Sequence, residues 1–142
     1  MDAKDLIQNS LDAWNAKDLE AFLANMTESS EIVAPGGFFL RGQEGAKTFW
    51  NVWQGAFPDS KGSISNVFAT GEHACDEVMF EGTHTGTLHR ADGSQILPTG
   101  KRVRLPMVQV RIIRDSKFVT DHIYFDQIEL LTQLGLPPTA TS

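Results

Sequence analysis

Val119-Thr120-Asp121-His122-Ile123-Tyr124-Phe125-Asp126 is the stretch on which the fold turns. It is rich in β-branched and aromatic residues and contains no strand breaker. Strand side chains alternate between two faces, so His122, Tyr124 and Asp126 share one face. Just upstream, Arg102–Arg114 is a longer run rich in Val and Ile, and Asp115-Ser116-Lys117 is a tight connection. Residues 102–114 and 118–126 are therefore predicted to pair as a hairpin.

Outward from that hairpin, residues 63–70 and 78–88 read as two further strands, and Ala91-Asp92-Gly93-Ser94 reads as a turn. The N-terminal third is helical in pattern. Leu6, Ile7, Leu11 and Trp14 recur at helical spacing over residues 3–16. Asp18 suits the N-cap of a short second helix carrying Leu19, Phe22, Leu23 and Met26. Glu31-Ile32-Val33-Ala34 is a short strand stopped by Pro35-Gly36-Gly37. A third helix over 42–56 gathers Ala46, Phe49, Trp50 and Trp53 on one side and ends at Phe57-Pro58. A closing helix over 128–134 is stopped by Gly135, and the tail 137–142 is expected to be loose. Helices first and antiparallel strands after them make an α+β pattern, one domain over residues 1–136. N-terminal helices would cover one face of a curved antiparallel sheet. Such a cone is open at one end, a natural pocket.

A chain of 142 residues can bury one core without staples. Twelve basic against 18 acidic residues give a net charge of −6, which argues against nucleic acid or an anionic membrane as partner. Cys75 is the only cysteine, so no internal disulfide forms, and it reads as an inert thiol. Asp2, Lys4 and Asp5 at the N-terminus do not make a signal segment, and no apolar run approaches the roughly 20 residues of a membrane span. A cytoplasmic location is expected. The sequence has no Walker pattern, Rossmann glycine run or nucleophile elbow.

Four polar residues stand in stretches that otherwise read as core strand: His84, His122, Tyr124 and Asp126. A carboxylate, two imidazoles and a phenol that converge on one cavity can move protons at neutral pH. Asp126 suits a general base if its face is desolvated, and equally suits the N-cap of the helix that follows. His122 lies about 13 Å from Asp126 along a flat strand, too far for a dyad. It is expected to line the cone or an interface. His84, within Glu81-Gly82-Thr83-His84-Thr85-Gly86, can polarise a carbonyl or bond to backbone. Tyr124 can donate to an oxyanion or pack across strands. The aromatic residues together suggest a pocket for a flat apolar ligand, with Trp14, Phe49 and Trp53 as walls. Arg102, Arg104, Arg111 and Arg114 read as a solvated sheet face with cross-strand ion pairs to Glu77, Glu81 and Asp121. His84, His122 and Asp126 lack a local ligand pair, so no metal is expected.

Glu81-Gly82-Thr83-His84-Thr85-Gly86, Pro98-Thr99-Gly100-Lys101 and His122-Ile123-Tyr124-Phe125-Asp126-Gln127 running into Leu130-Leu131-Thr132-Gln133-Leu134-Gly135 occur in a familiar order and spacing. Together they resemble the SnoaL-like polyketide cyclase (ester cyclase) family, of the nuclear transport factor 2-like superfamily. The resemblance implies the α+β barrel or cone fold of that superfamily and ring closure by an intramolecular aldol reaction without metal or organic cofactor. It matches Asp126 to the family's aspartate and His84 to its histidine. The chain departs from several cyclases at Thr120, His122 and Ile123. Acid/base cyclase or isomerase chemistry on an apolar carbonyl compound is the leading expectation, in a homodimer paired through the exposed sheet face. A non-catalytic binding module and an epoxide-type hydrolase are the alternatives. A second acidic residue in the pocket would separate the hydrolase from the cyclase.

Overall fold

Asp2 and Asp18 begin the two N-terminal helices by accepting backbone N–H bonds from Asp5 (2.8 Å) and Ala21 (3.1 Å). The computed structural model describes residues 2–137, so most of the expected loose tail lies outside the described residues. Helices α1 (Ala3–Asn15) and α3 (Gly42–Ala56) agree with the periodicity to within a residue; α2 (Leu19–Leu23) starts where expected but stops short of Met26, which opens the first strand instead. Phe57-Pro58 ends α3 as expected, because the residue before proline is pushed out of the helical region. Trp14, Phe22 and Trp50 lock the three helices together, with ring centroids 5.0–5.7 Å apart.

The strands are β1 (Met26–Ala34), β2 (Phe38–Arg41), β3 (Lys61–Thr70), β4 (His73–Thr83), β5 (Leu88–His89), β6 (Gln95–Ile96), β7 (Arg102–Arg114) and β8 (Lys117–Tyr124), followed by α4 (Gln127–Gln133). Six strands form one curved, unclosed sheet in the order β2-β1-β8-β7-β4-β3. The long hairpin β7–β8 sits at its middle, as the sequence predicts. Two features depart from an antiparallel meander. β1 pairs with β8 in parallel, and β2, which the sequence reading left out, forms the far edge. β5 and β6 make a separate two-stranded ribbon.

The strand predicted over 78–88 starts earlier and ends at Thr83, so His84 lies just beyond the ladder. Gly86 explains the stop. Its N–H donates to the Ala56 carbonyl at 3.1 Å, and a Cβ there would meet the Gly55 oxygen at 1.8 Å. The chain therefore turns off the sheet to pack on the end of α3.

A bulge in β8 decides which side chains face inward. Ile113 pairs with Phe118 and Ile112 with Thr120, so β8 carries one extra residue at Val119. Phe118 points into the core; past the bulge the inward parity changes to the odd-numbered Asp121, Ile123 and Phe125.

Candidate functional site

Between the helices and the concave face of the sheet lies a hollow of about 750 Å³, counting its opening to solvent. Ile7, Ser10, Leu11 and Trp14 of α1, Phe22 of α2, and Phe49 and Trp53 of α3 form the helical wall. The sheet contributes Val78, Phe80, Leu105, Met107 and Phe125, and one polar group of side chains: Asp76, Gln109, Arg111 and Asp121. The register places this group. Asp76 is directly opposite Gln109 on β7, and Arg111 is directly opposite Asp121 on β8.

Three ionisable side chains are buried here together. Asp76, Arg111 and Asp121 expose only 1%, 5% and 4% of their surface. Arg111 Nε donates to Asp121 Oδ1 at 3.2 Å, and its Nη1 lies 3.6 Å from Asp76 Oδ1. The guanidinium also lies over the Phe118 ring, 4.3 Å from the centroid. Burial opposes a charged guanidinium, but the carboxylates of Asp121 and Asp76 outweigh it and raise the Arg111 pKa. One cation thus faces two carboxylates. Neither carboxylate oxygen of Asp76 has a hydrogen-bond partner. Burial pushes Asp76 up to about 6, with Arg111 pulling the other way and Asp121 adding to the rise. Asp76 is the carboxyl whose proton changes hands near neutrality.

The residues singled out from sequence fall in three places. Trp14, Phe49 and Trp53 line the hollow. His122, Tyr124 and Asp126 do not, and the expectation that their face points inward is corrected. The β8 bulge turns the odd-numbered face inward, leaving Tyr124 55% exposed on the outer face and His122 beside it, across from Val110. Asp126 follows β8 and is exposed. Its carboxylate accepts from the N–H groups of Ile128 (2.9 Å) and Glu129 (3.2 Å), so it caps α4.

His84 is fully buried but lines neither this hollow nor its neighbour. Its Nδ1 accepts from Thr99 N–H at 3.2 Å, and its backbone exchanges bonds with Gly100 and Lys101, each 2.8 Å. It clasps the segment between β6 and β7. The ring lies tilted against Phe57 with centroids 5.3 Å apart, and burial lowers its pKa, keeping it neutral. The four residues do not converge.

Arg111 was expected on a solvated face. It forms the expected cross-strand pair with Asp121, but inside the hollow; Arg104 pairs with its register partner Glu81 at 3.4 Å on the exposed side. Asp76 was missed altogether. The signal was there: Asp76 is in phase with Ala74, Val78 and Phe80, and Arg111 with Leu105 and Val103, all buried. Charges in phase with core positions mark a buried site. Among the described residues no group of three or more His, Cys, Asp or Glu is placed to hold a metal ion, and no helix is long and apolar enough to cross a membrane.

The family model for SnoaL-like polyketide cyclase matches residues 4–134. No curated protein matches the sequence. Among solved structures, a candidate SnoaL-like polyketide cyclase from Jannaschia sp. CCS1 superposes with a TM-score of 0.82 at 21% identity, over 95% of this chain and 92% of that one. IdmH of Streptomyces antibioticus, a candidate polyketide cyclase, gives 0.76 at 26% identity over 94% and 98%. A protein of ketosteroid isomerase-like fold from Catenulispora acidiphila, solved with trimethylamine, gives 0.77 at 17% identity over 93% of each.

Proposed function

The chain belongs to the SnoaL-like polyketide cyclase family, and on that premise we propose that it performs acid/base chemistry, a cyclisation or isomerisation, on an apolar carbonyl compound held in the hollow. The observation that carries this reading is Asp76, a buried carboxyl facing a largely apolar space with neither oxygen hydrogen-bonded and its pKa near 6. At pH 7 about nine-tenths of such a group is ionised, so it can take a proton from carbon and later return it. In an aldol closure the Asp76 carboxylate removes a proton α to one carbonyl, and the enolate carbon attacks a second carbonyl. The alkoxide so formed then recovers the proton from Asp76. The sum is an isomerisation in which the proton leaves and returns, so the reaction as written calls for no cofactor. Arg111, the one cation in the lining among the described residues, offsets charge on the enolate oxygen. Asp121 holds Arg111 in place through its Nε. Trp14, Phe49 and Trp53 provide the flat apolar walls.

Asp121 beside Asp76 supports a second reading, because two carboxylates in one hollow also suit water activation. In an epoxide-type hydrolysis Asp121 would take the proton of water while protonated Asp76 gives one to the leaving oxygen. The two readings have opposite pH dependence. A base at Asp76 gives activity that rises through pH 6, whereas an acid at Asp76 gives activity that falls through it. The deciding experiment is a pH-rate profile on small diketone and epoxide panels, with Asp76→Asn as control. The expected result is ketone turnover that rises with pH and drops by roughly 10²–10⁴ in the variant. Undiminished turnover by Asp76→Asn on both panels would sink both readings.

The same reading has two copies paired through the outer face of the sheet. Val110 at 42% exposed, with Tyr124 and Phe68, gives that face apolar surface that a monomer would leave in water.

A further inference from the structure

The hollow has a neighbour. A second space of about 440 Å³, counting its opening, lies between the β5–β6 ribbon and α4, and Trp53 and Phe125 line both. Their rings meet edge to face with centroids 5.6 Å apart. Phe125 follows Tyr124, the last β8 residue paired to β7, and stands at the junction between the sheet and α4. Beyond that wall Leu88, Ile96, Leu130 and Leu131 make the second space largely apolar. The wall also holds an unspent donor. Trp14 gives its indole N–H to Ser60 Oγ at 3.1 Å, but the buried indole N–H of Trp53 has no partner. Buried donors are nearly always paired, and an unpaired one on a cavity wall favours a ligand that brings an acceptor.

We infer that the second space is a subsite for the tail of an elongated apolar carbonyl compound, which crosses at the Trp53–Phe125 wall with an acceptor against the Trp53 N–H. The inference rests on the first hollow holding the head of that compound. It makes chain length a determinant of specificity.

The test is a series of n-alkyl phenyl ketones, from acetophenone to decanophenone, titrated by calorimetry into the native protein and into Ile96→Trp, which fills the second space. In the native protein affinity should keep rising by about fourfold per added methylene once the first hollow is full. In Ile96→Trp the short ketones should bind unchanged and the gain from long chains should stop. An independent readout needs no filled variant: the methyl 1H–13C signals of Leu88, which lines the second space and not the first, assigned by their loss in Leu88→Ala, should move with long ketones and stay put with acetophenone. Affinity that levels off at the short members, or Leu88 methyl signals unmoved by the long ones, overturns the subsite and leaves the first hollow's role standing. Failure of every ketone to bind overturns that role, and the subsite with it.

Discussion

Asp76 is unsettled chiefly by its burial, and that has a cost in stability. Its folded pKa near 6 stands above the usual carboxylate value of 3.8. Between about pH 4 and pH 6 the folded chain therefore holds a proton that the unfolded chain has released. Stability contributed by this group is greatest below that window and falls as pH rises through it, by up to about 3 kcal/mol. Asp76→Asn mimics the protonated form, so it should raise the Tm at pH 7.5 and flatten this part of the stability curve while removing turnover. Denaturant melts from pH 4 to 8 check the sign. Arg111 is the opposite case. Arg111→Met leaves Asp76 and Asp121 buried without their cation, and should destabilise by about 3–5 kcal/mol at pH 7.5, less at pH 5 where Asp76 takes up a proton. Equal losses at both pH values would show that packing over Phe118, not charge, is what the arginine supplies. Asp126 does local work at a helix end. Asp126→Ala should lose about 1 kcal/mol of stability in a urea titration, and its turnover per folded molecule should match the native protein.

Among the elements, the joint between β4 and α3 is the tightest. The segment after Thr83 leaves the sheet, is clasped by His84 to Thr99, Gly100 and Lys101, and at Gly86 packs against the carboxyl end of α3. A methyl group at Gly86 would collide with the Gly55 carbonyl, a backbone atom with no rotamer to adopt. Gly86→Ala should therefore destabilise by about 1–3 kcal/mol, and it should alter the near-ultraviolet signal of Trp53, which stands three residues from Ala56 on α3. A melt indistinguishable from the native protein would mean that the joint gives way easily. α4 is fixed differently: Gln133 bonds both backbone groups of Arg104, at 2.6 and 2.9 Å, and ties the helix to the edge of β7. The ribbon, α3 and α4 are thus held as one frame around the second hollow.

For the whole molecule, the helices cover only the concave face of the sheet. The convex face shows Val110, Tyr124 and the half-buried His122, which is where a second copy is proposed to sit. Val110→Glu places a charge at the middle of that surface, on the central hairpin. Analytical ultracentrifugation should find the native protein as a dimer and the variant shifted toward monomer, with the fold and the hollow unchanged. A native protein that sediments as a monomer at micromolar concentration would refute the pairing. If the variant alone changes and loses turnover too, the pair supports the hollow as well as the surface.

Local pattern was enough for the helices and the central hairpin, but not for β2 or the β5–β6 ribbon. Amphipathic spacing sets α1 and α3, Asp18 marks the start of α2, Phe57-Pro58 ends α3, and the Val/Ile run with its tight turn makes the central hairpin, because each depends on neighbours in sequence. The aromatic walls at Trp14, Phe49 and Trp53 were legible for the same reason: the core face of a helix is fixed by its period. Phase on a strand is not so protected. One extra residue at Val119 reverses inside and outside, and that bulge exists only because β7 and β8 pair as they do. So tertiary pairing decided that Asp121, not His122 or Asp126, faces the hollow, and it brought Asp76 from one strand to Arg111 on the next. Their altered chemistry follows from burial together, which is a property of the assembled sheet rather than of any segment.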